Sequence, residues 1–139
     1  MPEVHSSRLR VRYAETDAMG VLHHGQWAVY WELGRTGLLR ERYRSYAEIE
    51  RTGIRFPVVE YGARILAPAR YDEELEIRTR VAELGRVRLR FAYEGWRGET
   101  LLATGFSVHG VIDADWRVIR LPAEIAAALG AAGAPHSEE

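Results

Sequence analysis

With 139 residues, 47% of them apolar and 28% charged, the chain has the size and composition of one soluble globular domain. A formal net charge of −1 leaves no overall attraction for nucleic acid. Cysteine is absent, which excludes a disulfide framework, a thiolate zinc site and a cysteine nucleophile, and suits a reducing compartment. All basic residues are Arg, a compositional bias with no functional reading attached.

Residues 1–12 lack the apolar run of a signal peptide, and no stretch approaches the roughly 20 apolar residues of a membrane span. The expectation is a cytoplasmic protein with neither a membrane nor a nucleic acid as partner. Residues 8–13 alternate polar and apolar, which predicts a half-buried strand. Residues 15–25 break that pattern, with Gly20 and Gly25 as punctuation. From residue 26 to about residue 42 the period becomes helical. Trp27, Tyr30, Trp31, Gly34 and Leu38 share a face, and only Glu32, Arg35, Thr36 and Arg40 make a polar stripe. A helix so apolar must be covered on several sides. A short helix over residues 45–51 ends at Gly53.

Strands are predicted over residues 56–66 (broken near Gly62), 75–81, 87–93 after a tight turn at Leu84 and Gly85, and 101–112. Residues 116–119 extend the last of these as a hairpin. Pro122 opens a helix through Leu129, with Gly130 as its stop. The domain covers residues 1–130, and residues 131–139 form a loose tail. Consecutive strands joined by tight turns pair antiparallel, so the architecture is α+β: a curved antiparallel sheet of about five strands wrapped around a central helix.

Chemistry concentrates in residues 13–27, between the first strand and the buried helix. Glu15, Asp17, His23 and His24 meet there just before a helix start, whose unpaired N–H groups and positive dipole end can polarise a carbonyl and hold an oxyanion. A neighbouring carboxylate can attack that carbonyl or activate water. The alternative for Asp17 is a turn or capping residue. Adjacent His23 and His24 cannot easily aim at one ion, no His-x-x-x-His spacing occurs, and no Gly-x-Ser-x-Gly elbow is present. Neither a metal nor another cofactor is expected. Arg86, Arg88 and Arg90 alternate with Val87, Leu89 and Phe91, so their guanidiniums share one side of a strand. They make either a solvated sheet face or a phosphate clamp.

The stretch Asp17-Ala18-Met19-Gly20-Val21-Leu22-His23-His24 resembles the signature of the 4-hydroxybenzoyl-CoA thioesterase family and its short-chain acyl-CoA (YbgC-like) relatives. That pattern is Asp-x-Asp-x-x-Gly-Val-Val-Tyr-His-x-x-Tyr. Glu15 stands at its first acidic position, Asp17 at the second, and Gly20, Val21 and His24 match; His23 and Trp27 replace tyrosines. The resemblance implies a hotdog fold and hydrolysis of an acyl-CoA thioester to an acid and CoA. Asp17 would be the nucleophile or general base, and backbone N–H groups of His24 or Gly25 would bind the thioester oxygen. Gly20, His23 and Trp27 would line the substrate site. It further implies a homodimer or homotetramer, in which Phe56, Glu60 and Tyr61 of a partner line the acyl channel and Arg86 and Arg88 meet the CoA phosphates. Two other readings stay open at this level. One is a hotdog module that binds an acyl ligand without cleaving it. The other is a hotdog hydratase or dehydratase acting on an acyl thioester.

Overall fold

The computed structural model describes residues 4–130, and the tail expected over residues 131–139 lies outside them. Five strands, β1 (His5–Arg10), β2 (Val58–Ile65), β3 (Glu74–Leu84), β4 (Arg88–Arg97) and β5 (Thr100–Gly110), form one antiparallel sheet in the order β1-β3-β4-β5-β2. Among the described residues three α-helices accompany it, α1 (Gln26–Arg42), α2 (Tyr46–Arg51) and α3 (Ala123–Gly130), with a single 3-10 turn over Tyr13–Glu15. Strand alternation sets the two faces. Leu75, Ile77, Thr79 and Val81 of β3 and Leu89, Phe91 and Tyr93 of β4 are buried on the inner face. Across that face lies α1, which buries Trp27, Tyr30, Trp31, Leu38 and Leu39. This is the covered helix that its apolar circumference requires, and the fold is the hotdog.

Trp31 shows how tightly the two layers mesh. Its ring stacks on Tyr93 at 4.9 Å between centroids and 6° between planes, and its indole N–H donates to the Gly62 carbonyl at 3.2 Å. The ring occupies the space that a Cβ on Gly105 would need, so only glycine fits there. Beside it, three buried polar side chains form a directed chain. A carbonyl oxygen can only accept, so His109 Nδ1 carries the proton it donates to Phe56 O at 3.0 Å. His109 Nε2 then accepts from the Ser107 hydroxyl at 2.8 Å, and Ser107 Oγ accepts from the Tyr93 hydroxyl. Burial, with a smaller push from Arg35, outweighs the raising effect of the Phe56 bond and brings His109 down from 6.5 to about 4.

The strands start and stop a few residues from where periodicity puts them, and two differences have a physical cause. β2 runs unbroken through Gly62; the irregularity in its pairing falls between Val58 and Glu60. Arg86 lies in the turn ahead of β4, where Gly85 N–H donates to Arg88 O, so only Arg88 and Arg90 share the strand's outer face. The sheet's two edges also differ. β1 is short, and Arg8 and Arg10 project from it. β2 exposes Val58, Val59, Tyr61 and Ile65 along an unpaired edge. Among the described residues no helix is long and apolar enough to cross a membrane.

Candidate active site

The segment between β1 and α1 is pinned at several points. Leu22 N–H donates to Ala69 O at 2.8 Å, and His23 N–H donates to Glu15 O at 2.9 Å. Glu15 itself is 6% exposed. Its carboxylate accepts from Arg12 N–H at 2.8 Å, from the Arg12 guanidinium at 3.1 Å and from the Tyr30 hydroxyl at 2.8 Å, which ties the loop to α1. Burial raises the Glu15 pKa, but the bonds from Arg12 and Tyr30 outweigh it and hold the carboxyl below its ordinary 4.5. Burial and the facing carboxylate push the Tyr30 hydroxyl up, so it remains the donor. Glu15 is thus a fastener. Glu15→Gln is expected to cost about 1–3 kcal/mol of stability at neutral pH, as when a buried charge-assisted network loses its anion. A group with a lowered pKa contributes above its unfolded value and less as pH falls through the folded one. Urea titrations should therefore show the deficit of the variant shrinking below pH 4.5.

Asp17 opens the tight reversal over residues 17–21. Its N–H donates to Val21 O and its carbonyl accepts from Gly20 N–H, both at 2.9 Å. Gly20 has φ +81, the left-handed conformation that this reversal needs and that glycine adopts without strain. Asp17 Oδ1 accepts from Met19 N–H at 2.8 Å and from Val21 N–H at 3.4 Å, whereas Oδ2 takes no hydrogen bond from the described residues. One oxygen holds the loop, and the other stays available.

The start of α1 has one idle donor. Gln26 N–H donates to His23 O, Trp27 N–H to His24 O and Ala28 N–H to Gly25 O. Gly25 N–H donates to His23 Nδ1 at 3.0 Å, and the His23 ring stacks on that of His24 at 4.2 Å. Only the His24 N–H lacks an acceptor among the described residues. The pair of donors expected from His24 or Gly25 thus narrows to His24, because the Gly25 donor is engaged by His23. No group of three His, Asp or Glu among the described residues is arranged to hold a metal ion.

Asp17, Met19, Val21, Leu22, His24 and Trp27 line one wall of an open cleft of about 350 Å³, and residues 65–69 line the other. Trp27 is 2% exposed and reaches the cleft from the core. The remaining expected residues sit elsewhere. Gly95 packs against the Trp27 ring at this end of the sheet, while Arg88 begins β4, a run of about 23 Å away at the usual strand rise. Phe56, Glu60 and Arg86 lie toward that far end, since Val58 pairs with His109 and Leu89 pairs with His109 from the other side, while Tyr61 stands mid-sheet, level with Phe91 through Ser107. The pleat also separates Glu60 from Tyr61. Tyr61 pairs with Ser107 on the helix side, whereas Glu60 pairs with Val108 on the outer face and shares a shallow depression with Glu83, Arg88 and Arg90. One chain therefore does not gather the expected set around one cleft.

With this fold and cleft established, comparison with known proteins places the chain in a family. Residues 19–104 match the thioesterase superfamily model, and the chain belongs to that superfamily. It is 34% identical over 83 residues to the acyl-CoA thioester hydrolase YbgC of Escherichia coli O6:H1, covering 60% of this chain and 62% of that one. Among solved structures, the hypothetical protein TT1821 from Thermus thermophilus is 44% identical with a TM-score of 0.88, covering 91% of this chain and 97% of that one. The DHNA-CoA thioesterase from Staphylococcus aureus is 32% identical with a TM-score of 0.82, covering 85% and 80%.

Proposed function

We propose that the protein hydrolyses an acyl-CoA thioester to a free carboxylic acid and CoA, with Asp17 and the His24 N–H as its working groups. The observation that carries this reading is their placement. A carboxylate oxygen and a helix-start N–H, both without a partner among the described residues, belong to residues lining the same cleft. The thioester oxygen takes the His24 N–H, and the positive end of α1 stabilises the charge that develops on it. Asp17 Oδ2 either removes a proton from the attacking water, or adds to the carbonyl carbon to give an anhydride that water then opens to the acid and free Asp17; on both routes the C–S bond breaks, and the leaving thiolate takes up a proton originating from water to become the CoA thiol. The Met19 and Val21 N–H groups on Oδ1 hold the carboxylate in place and leave Oδ2 to act.

The cleft is completed by a second copy. Two copies joined antiparallel along the exposed β2 edge bring the Val58 end of one beside the Ile65 end of the other. Phe56 and Tyr61 of the second copy then face the acyl group, and its Arg86 and Arg88 lie toward the nucleotide. The apolar residues on β2, against the arginines on β1, choose the edge. The acyl-CoA names of the relatives support the substrate class. Incubation with short, branched and aryl acyl-CoAs is expected to release free thiol, read with a thiol reagent. Tight binding of these compounds with no thiol released would make the protein a carrier instead of an esterase.

A further inference from the structure

The hairpin after β5 carries a residue that its backbone disfavours. The chain reverses over residues 113–117. Asp113 N–H donates to Arg117 O, Trp116 N–H donates to Asp113 O, and Asp113 Oδ1 accepts from the N–H groups of Asp115 and Arg117 at 2.9 and 3.0 Å. Trp116 closes this turn at φ +63, in the left-handed region where glycine fits and a bulky side chain is crowded. The fold gives nothing in return. The indole is 69% exposed and makes no ring or cation–π contact among the described residues. A strained position kept by a large exposed aromatic points to a contact made with something outside the chain.

The surroundings say what kind of contact. Arg117 and Arg120 follow Trp116 on the outgoing arm, and Leu121 N–H donates to Arg86 O at 2.7 Å, which fastens that arm to the turn ahead of β4. All three arginines are exposed, and none forms an ion pair among the described residues. A flat exposed ring on a hairpin whose outgoing arm carries unpaired guanidiniums and is fastened to Arg86 matches a purine nucleotide carrying several phosphates. We propose that Trp116 is the stacking platform for the adenine of CoA, with Arg86, Arg117 and Arg120 around its phosphates. The inference rests on the acyl-CoA reading and names the carrier. Since Arg86 lies at the end of the sheet remote from Asp17 in its own chain, the platform serves the cleft of a second copy.

Steady-state kinetics on one acyl-CoA and on the same acyl group carried by pantetheine, which lacks the nucleotide, tests this. The wild type should prefer the CoA ester. Trp116→Ala should raise KM for acyl-CoA about tenfold with kcat unchanged, the effect of losing one stacked base, and leave acyl-pantetheine kinetics as they were. Trp116→Gly should do the same while raising the melting temperature, because glycine relieves the turn. An unchanged KM for acyl-CoA in Trp116→Ala overturns the proposal, and so does an equal change on both esters. It is also overturned by activity on an acyl-carrier-protein ester that Trp116→Ala weakens and adenosine 3′,5′-bisphosphate does not inhibit. If the wild type cleaves neither ester, the thioesterase reading is what fails. Titration of adenosine 3′,5′-bisphosphate into wild type and Trp116→Ala then decides on the platform: binding weakened in the variant supports it, and equal or absent binding removes it.

Discussion

Asp17→Asn is expected to lower kcat on the best acyl-CoA by about 10²–10⁴-fold, the range for a positioned acid–base group. The substitution is close to a pure chemical edit. Asparagine keeps a carbonyl oxygen to accept from Met19 N–H and Val21 N–H, so the reversal over residues 17–21 stays closed by the same bonds. What changes is the second oxygen, the one without a partner among the described residues, which becomes an amide that can neither accept a proton from water nor attack a carbonyl. KM should move little, because the cleft walls and the His24 N–H are untouched. An Asp17→Asn enzyme with full turnover and a normal melting curve would show that hydrolysis depends on another group.

The second large effect is on stability in mild acid. His109 is 1% exposed and neutral, with its pKa lowered from 6.5 to about 4. The unfolded chain therefore binds a proton at this residue that the folded chain refuses between those values, so stability falls as pH falls. The contribution is complete above pH 6.5 and gone near pH 4; at about 1.4 kcal/mol per pKa unit it amounts to about 3 kcal/mol. Glu15 starts to lose its own contribution only below 4.5, which leaves the window from 4.5 to 6.5 to His109. Urea denaturation at intervals through that window should show the decline in the wild type and a much flatter profile in His109→Leu. Parallel slopes in the two proteins would assign the acid sensitivity elsewhere.

Most of the fold is legible in the sequence because burial dictates it. The change from two-residue to helical periodicity locates α1 over residues 26–42, and the near absence of a polar face on it demands a wrapping sheet. The alternation of Leu75, Ile77 and Val81 with charged residues gives the inner face of β3. What periodicity cannot carry is backbone detail set by tertiary contact. The irregularity of β2 sits beside Val59, where pairing with β5 shifts, and no residue type marks it. The site divides along the same line. The acidic and imidazole residues ahead of α1 are visible as a cluster, but their hydrogen bonds are not. Glu15 as a fastener, the engagement of the Gly25 donor by His23 and the opposite faces of Glu60 and Tyr61 all follow from three-dimensional packing. At Trp116 the sequence does mark the feature, with a bulky aromatic in the Asp-Ala-Asp-Trp turn where a small residue is usual.

The seat of Trp31 against Gly105 has a consequence for how this core can drift over generations. The indole and the missing side chain divide a fixed amount of room between helix and sheet, so neither position can grow alone. A lineage that acquired alanine at residue 105 would need a smaller ring at residue 31, and with it would surrender the stack on Tyr93 and the bond to the Gly62 carbonyl. Substitutions at these two places are therefore bound to travel together.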